Sequence, residues 1–309
     1  MTRATKDRTG TLDDIASADH VFSIIAMDQR NTLRRMFAAA GHDASDDDLR
    51  TAKADVARVL TPGASGLLSD PTYGVPAITK AGALDPGCGL LVAAEPAERR
   101  VYQGEPRTHR DPALNAQWVL DQGGDALKFF LQLRADRPAP GPGEPDLVAE
   151  GLAVCQEIID DCRAAGVPVV IENLIYPRPG EDLSAQARED AIIEAARALN
   201  DLDIDLLKLE YPGSPAGCRR LAATVSRANV SCRRAAAAGT PDAAKGSAPA
   251  ACYLGHHDPC ARALTEHERN KANEASRWRS AQELVRNPLT CYFSSWRAIT
   301  TRWIWLVPS

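Results

Sequence analysis

The sequence predicts an α/β protein, and within that class a (β/α)8 barrel, on three observations. Between residues 21 and 210 short apolar runs alternate with stretches of helical period. The apolar runs are continuous rather than alternating, as strands buried on both faces of a parallel sheet require. Six such units fill residues 21–210, which suits the first three-quarters of a barrel that needs ~250 residues. A doubly wound parallel sheet accounts for the same alternation and is the rival. No Gly-x-Gly-x-x-Gly turn follows the first strand, so nothing supports a dinucleotide site.

The elements follow in order. VFSIIAM (21–27) is a β-branched, apolar first strand, and NTLRRMFAAAG after it reads as a helix that a glycine ends. SDDDLRTAKADVARVL (45–60) opens with a Ser cap and acids in its first turn, then keeps helical spacing. ASGLLSD (64–70) and CGLLVAAE (88–95) are short buried strands. DALKFFLQL (125–133) is the fourth strand, followed by a Pro/Gly-rich loop and a helix over 146–165. VPVVIENLIY (167–176) is the fifth, and SAQAREDAIIEAARALN (184–200) is an amphipathic helix. DIDLLKLEY (203–211) is the sixth.

The chain has 309 residues, 44% hydrophobic and 25% charged, ordinary values for a globular protein with a large core. No run approaches the ~18 apolar residues that a membrane span needs. The start, MTRATKDRTGTLDD, lacks an apolar signal region, so a cytoplasmic location is expected. The charge is divided unevenly. Residues 1–212 hold 22 Lys+Arg against 35 Asp+Glu, whereas residues 213–309 hold 14 against 6, with five of the eight cysteines and four of the five tryptophans. The basic excess of that tail is too scattered for a nucleic-acid stripe, so neither nucleic acid nor a membrane is expected as a partner.

Side chains alternate across a strand, so in DIDLLKLEY Lys208 and Glu210 share one face and Leu207 and Leu209 the other. The leucines suit the helical layer, which leaves the charged pair pointing into the barrel. Glu172 in VVIEN and Lys128 in ALKFFL repeat this pattern on the two preceding strands. Asp28, Gln29 and Arg30 end the first strand, Asp70 the second and Glu95 the third. Barrel active sites lie at this C-terminal rim. An unpaired charge in an apolar setting is very costly, so three neighbouring strands carrying one each need a reason. A buried ion-pair network that only ties strands together is the competing reading.

Two lysines and a glutamate in a dry cavity suit Schiff-base catalysis. An amine attacks a carbonyl only when unprotonated, and both burial and a nearby cation favour that form. A carboxylate such as Glu172 then shuttles protons, and Asp28 could hold or deprotonate a substrate hydroxyl. A metal-dependent route needs clustered imidazoles or carboxylates, but the first 212 residues hold only His20, His42 and His109, none in a strand core. Neither a metal nor another cofactor is expected.

At these residues the chain resembles the class I tagatose 1,6-bisphosphate aldolase family, including its sulfofructosephosphate aldolase relatives. The matching segments are AMDQRNTLRRMFAAAG, LLSDPTYG, DALKFFLQLRAD, VVIENLIYP and DIDLLKLEYP, in order across residues 21–212. The resemblance implies a (β/α)8 barrel that cleaves a phosphorylated ketose to dihydroxyacetone phosphate and an aldehyde. It implies Lys208 as the Schiff-base lysine, Glu172 as the acid/base carboxylate, and Asp28, Gln29 and Lys128 as substrate-binding residues.

The tail departs from that pattern. The family continues with a seventh strand ending in a Ser-x-Gly-type loop and an eighth ending in a Gly-rich loop with an Arg, which together grip phosphate. Neither is present here. Residues 1–212 are therefore expected to form the first six units of the barrel, and 213–309 an atypical tail that fits a slipped reading frame. On this reading the barrel is incomplete, its first and sixth strands have open edges, and TTRWIWLVPS has nothing to pack against. Cys252, His256, His257 and Cys260 lack the paired C-x2-C spacing of zinc modules and read as chance clustering.

Overall fold

The structure, a computed structural model, describes residues 9–18 and 20–225 and the strand at 303–306. Six parallel strands form one sheet in chain order: β1 (Ile24–Met27), β2 (Gly66–Ser69), β3 (Gly89–Ala93), β6 (Ala126–Leu131), β7 (Val169–Asn173) and β8 (Leu206–Glu210). Helices cross between them: α1 (Asn31–Ala39) and α2 (Asp46–Leu60), α3 (Gly74–Ala81), α4 (Ala116–Asp121), α5 (Leu147–Ala165) and α6 (Ala185–Asn200). Between β3 and α4 an antiparallel hairpin, β4 (Arg100–Tyr102) and β5 (Glu105–Arg107), stands apart from the sheet.

The sheet is curled, as a barrel wall must be. Lys128 on β6 touches Asp28 just after β1 at 2.8 Å, although β2 and β3 lie between those strands. Only curvature brings the two together across the inner face. The architecture is that of the (β/α)8 barrel class, with six βα units among the described residues; the doubly wound alternative is set aside. No helix among these residues is long and apolar enough to cross a membrane.

The two faces of the sheet are sorted as the strand alternation dictates. Outward residues, among them Leu127, Phe129, Ile171, Leu207 and Leu209, pack with Ile158, Ile159, Ile192 and Leu199 of the covering helices. Inward residues Leu68, Leu91, Ala126, Val170 and Leu206 form an apolar floor, which Ile15 of a short 3-10 turn (Leu12–Ile15) plugs from below. Gly89 makes that plug possible, since a Cβ there would sit 2.2 Å from the Asp14 carbonyl oxygen.

The helices start where local chemistry puts them. Ser45 and Asp48 form a capping box at α2, and the side chains of Asp146 and Ser184 cap α5 and α6. The left-handed Gly166 ends α5.

Two expectations for the C-terminal part change. Regular structure continues past residue 212: α7 (Pro215–Thr224) follows β8, with Ser214 as cap and Pro215 in its first turn. It completes the sixth unit by burying Cys218 and Leu221 and pairing Arg220 with Glu189 and Asp190 of α6. The outer edge of β8 is also covered. A seventh strand, β9 (Trp303–Leu306), pairs antiparallel with it, Trp305 opposite Lys208, because a free edge is a ready template for any extended segment. The slipped-frame reading of the rest of the tail, and the Cys252–Cys260 cluster, lie outside the described residues.

Candidate active site

The apolar floor gives way to a charged layer at the carboxyl ends of the strands. Lys128 is in register with Ala93 on one side and Val170 on the other, and Glu172 is in register with Lys208. Each therefore sits one pleat above an apolar inward residue, Ala126, Val170 and Leu206 respectively. All three side chains are buried.

They form a continuous chain of opposite charges. Lys208 Nζ lies 2.8 Å from Glu172 Oε1, and Lys128 Nζ lies 2.6 Å from Glu172 Oε2. Lys128 also donates to Asp28 Oδ2 at 2.8 Å and lies 3.4 Å from Glu95 Oε1. Arg30 approaches Glu95 at 3.6 Å. The contact between Lys128 and Glu172 Oε2 is ionic without hydrogen-bond geometry, so that oxygen keeps acceptor capacity.

This neighbourhood shifts the titration of its members. Burial opposes ionisation of Asp28, but the Lys128 and Lys208 ammonium groups outweigh it and hold the carboxyl well below the usual range. Burial likewise opposes the charge on Lys128, yet Asp28, Glu172 and Glu95 together hold it as an ammonium above its ordinary value. Glu95 moves the other way: burial raises its carboxyl, Lys128 resists, and the negative charges of Asp28 and Glu172 add to the rise.

These residues line a cavity of about 590 Å³, within the usual span for small-molecule sites. Its mouth carries Arg30, Arg35, Arg99 and Arg100, with Arg99 over the Phe130 ring at 4.9 Å. Behind the rim, the buried Arg134 donates to Asp136, Glu181 and the Tyr176 carbonyl, tying the loops after β6 and β7 together. Among the described residues no three His, Cys, Asp or Glu side chains come together as a metal-ligand set.

Of the residues singled out in the sequence, Asp28, Gln29, Lys128, Glu172 and Lys208 all line this one cavity, with Glu95 and Arg30 beside them. Gln29 turns its Nε2 to the Ala26 carbonyl and leaves Oε1 buried without a hydrogen-bond partner, an acceptor suited to a ligand hydroxyl. Two residues lie elsewhere. Glu210 accepts from the Arg188 guanidinium and the Ile175 N–H, because it ends its strand where the β7–α6 loop crosses. Asp70 is buried behind the first strand in an ion pair with Lys53 of α2 at 2.7 Å. Lys53 escaped the sequence reading. Its signal was a lysine on the stripe Leu49–Lys53–Ala57, where i, i+4 spacing predicts burial.

A family model described as DeoC/LacD family aldolase matches residues 22–245. Tagatose 1,6-diphosphate aldolase 1 of Streptococcus mutans is 29% identical over 219 residues, which are 67% of this chain and 63% of that protein. Tagatose 1,6-diphosphate aldolase 2 of Streptococcus agalactiae is 30% identical over the same shares. The chain thus spans just under two-thirds of the length of these curated relatives. A solved Schiff-base-forming fructose-1,6-bisphosphate aldolase overlays with a TM-score of 0.48 at 16% identity, covering 69% of this chain and 74% of the other. With the model matching well over half of its residues, the chain belongs to the DeoC/LacD family of aldolases.

Proposed function

We propose that this chain is a class I aldolase that cleaves a phosphorylated ketose, such as tagatose 1,6-bisphosphate, to dihydroxyacetone phosphate and an aldehyde phosphate. One observation carries the reading: the buried chain Lys208–Glu172–Lys128–Asp28 at the carboxyl rim of the strands. Family membership and the names of the aligned relatives support it, as do the arginines at the cavity mouth, whose guanidinium groups suit phosphate.

The roles follow from the surroundings of each group. Of the two buried lysines that line the cavity, Lys128 is locked as an ammonium by three carboxyl groups, which leaves Lys208 as the nucleophile. Lys208 passes a proton to Glu172, 2.8 Å away, and its Nζ bonds to the ketone carbon to give a carbinolamine. Glu172 returns the proton to the departing oxygen, water leaves, and an iminium forms. The iminium takes up the electron pair of the scissile C–C bond as a carboxylate removes the proton of the neighbouring hydroxyl. Asp28 and Glu172 both reach that region, and Lys128 stabilises negative charge between them. The aldehyde departs. The enamine is protonated at carbon, water adds to the resulting iminium, and dihydroxyacetone phosphate is released.

Borohydride reduction in the presence of dihydroxyacetone phosphate, followed by peptide mass spectrometry, tests the assignment. The expected product is one reduced adduct on Lys208. An adduct on Lys128 exchanges the two lysine roles, and none at saturating ligand refutes the reading in favour of a structural ion-pair network. A sulfonated ketose phosphate run in parallel separates the phosphate and sulfonate substrates by their rates of cleavage.

A further inference from the structure

The turn that presents Asp28 and Gln29 is held from behind by a side chain on another element. Lys53, in the middle of α2, is fully buried, and its ammonium lies beneath the end of β1. It donates to the Met27 carbonyl and, at 2.8 Å, to the Gln29 carbonyl, and it lies 2.7 Å from Asp70 Oδ2. Three acceptors meet its three donors. The two carbonyls flank Asp28, so the backbone is fixed on both sides of the residue whose carboxylate takes the Lys128 ammonium.

Asp70 is itself anchored. Its Oδ1 accepts the N–H groups of Thr72 and Tyr73 at 2.9 and 2.8 Å, and its Oδ2 that of Gly74 at 3.2 Å. There is no slack around the pair, for a Cβ at Gly74 would lie 1.9 Å from Ser69 Oγ and 3.3 Å from Lys53 Cδ. Stability alone does not call for this arrangement. An apolar side chain on the Leu49–Ala57 stripe would avoid desolvating two charges, and well-packed apolar replacements of buried ion pairs are often neutral or better. An ammonium does what methylenes cannot: it binds two carbonyls at once.

We propose that the Lys53–Asp70 pair is a positioning device for the active site, setting the Asp28 carboxylate against Lys128 and so fixing the order of charges around Lys208. Its consequence for catalysis rests on the Schiff-base reading; its effect on Asp28 does not.

The test uses the full chain. Lys53→Met is the direct variant, and Lys53→Met/Asp70→Asn is a second one that leaves no lone buried charge. Each is made with Asp28 intact and with Asp28→Asn. The first readout is the rate of borohydride-trapped adduct formation with dihydroxyacetone phosphate, per folded molecule. The second is the acid titration of the Asp28 carboxyl by carbon NMR, assigned by its absence in Asp28→Asn. Trapping is expected to slow at least tenfold when Asp28 is present and by less than twofold when it is not. The Asp28 carboxyl, held well below the usual carboxylate range in the parent, is expected to titrate closer to that range in both variants. Equal slowing in both backgrounds would mark a merely structural role and overturn the proposal, as would an unchanged Asp28 titration. If the parent gives no adduct, the Schiff-base reading falls, and the NMR titration alone upholds or overturns the positioning of Asp28.

Discussion

Replacing Glu172 by glutamine separates the chemistry of the site from its stability. The side chain touches both lysines, at 2.8 and 2.6 Å. At an effective dielectric of ~20 each contact represents about 6 kcal/mol of Coulomb attraction before desolvation is counted. Most of this is offset. A neutral amide costs less to bury, and its loss of charge leaves two carboxyl groups, Asp28 and Glu95, facing two ammonium groups. Asp28 still interacts with both ammonium groups, so the folding cost is expected near the low end of the ~3–5 kcal/mol typical of breaking a buried pair. Catalysis has no such compensation, because a glutamine cannot carry a proton between Lys208 and the carbinolamine. Loss of a general acid/base lowers rates by about 10²–10⁴, or roughly 3–5 kcal/mol in the barrier. Single-turnover trapping at Lys208, normalised to the folded fraction by circular dichroism, reads this directly. A Glu172→Gln protein that reacts within threefold of the parent refutes the shuttle role.

Lys128→Met behaves in the opposite way, since it strands Asp28, Glu95 and Glu172 together; urea denaturation is expected to show a loss of about 3–5 kcal/mol at neutral pH. A change under 1 kcal/mol would contradict the charge order described above. The Asp28–Lys128 pair also sets a pH window. The depressed Asp28 gives stability that is complete above the unfolded value near ~4 and lost as pH falls through its lower folded value. The raised Lys128 gives stability that is complete below ~10.4 and lost as pH rises through its higher folded value. The acid limb of unfolding free energy against pH should therefore be shallower in Asp28→Asn, and an unaltered slope counts against the pair. Gly89→Ala drives a Cβ into the Asp14 carbonyl and should cost ~1–3 kcal/mol by overpacking, visible as a lower thermal midpoint; a neutral result means the 3-10 plug is not seated there. Finally, burial pushes the Cys155 thiol up to about 12, so it should resist alkylation at pH 8 until denaturant is added.

The sequence made the six strands and their inward charges readable because both rest on short-range rules: continuous apolar runs mark doubly covered strands, and period two sorts their faces. Lys128, Glu172 and Lys208 were legible as anomalies in such runs. The hairpin at 100–107 was not, since RVYQGEPR has no apolar period and its strands are three residues long. Its one local cue is Gln103–Gly104, both at positive φ, the requirement of a tight hairpin turn. Helices α3 and α4 have only eight and six residues, too few to show a period. Asp70 was visible as a strand-end acid, but its partner is the one charged residue on the otherwise apolar buried face of α2. Which helical face packs behind which strand is a property of the tertiary topology, not of the local pattern.

The arrangement also explains why so many charges can be buried beside one nucleophile. Each carboxyl group has a different second duty: Glu172 bridges the lysines, Asp28 is oriented by a turn fixed from α2, and Glu95 shares its charge with Arg30. The groups come from β1, β3, β6, β7 and β8, so no single strand can shift without breaking a contact to another. Curvature of the sheet and order of the charges are therefore one property. The contact between Lys128 and Asp28 spans the concave face only while the sheet is curled, and the curled sheet keeps its inner charges paired only while that contact stands. A flattened sheet would leave Lys128 with fewer anions and Asp28 with none of its cations, a cost of several kcal/mol for each uncompensated ion. Curvature of the wall and the order of charges around Lys208 are in this way coupled, and a variant that loosens one is expected to loosen the other.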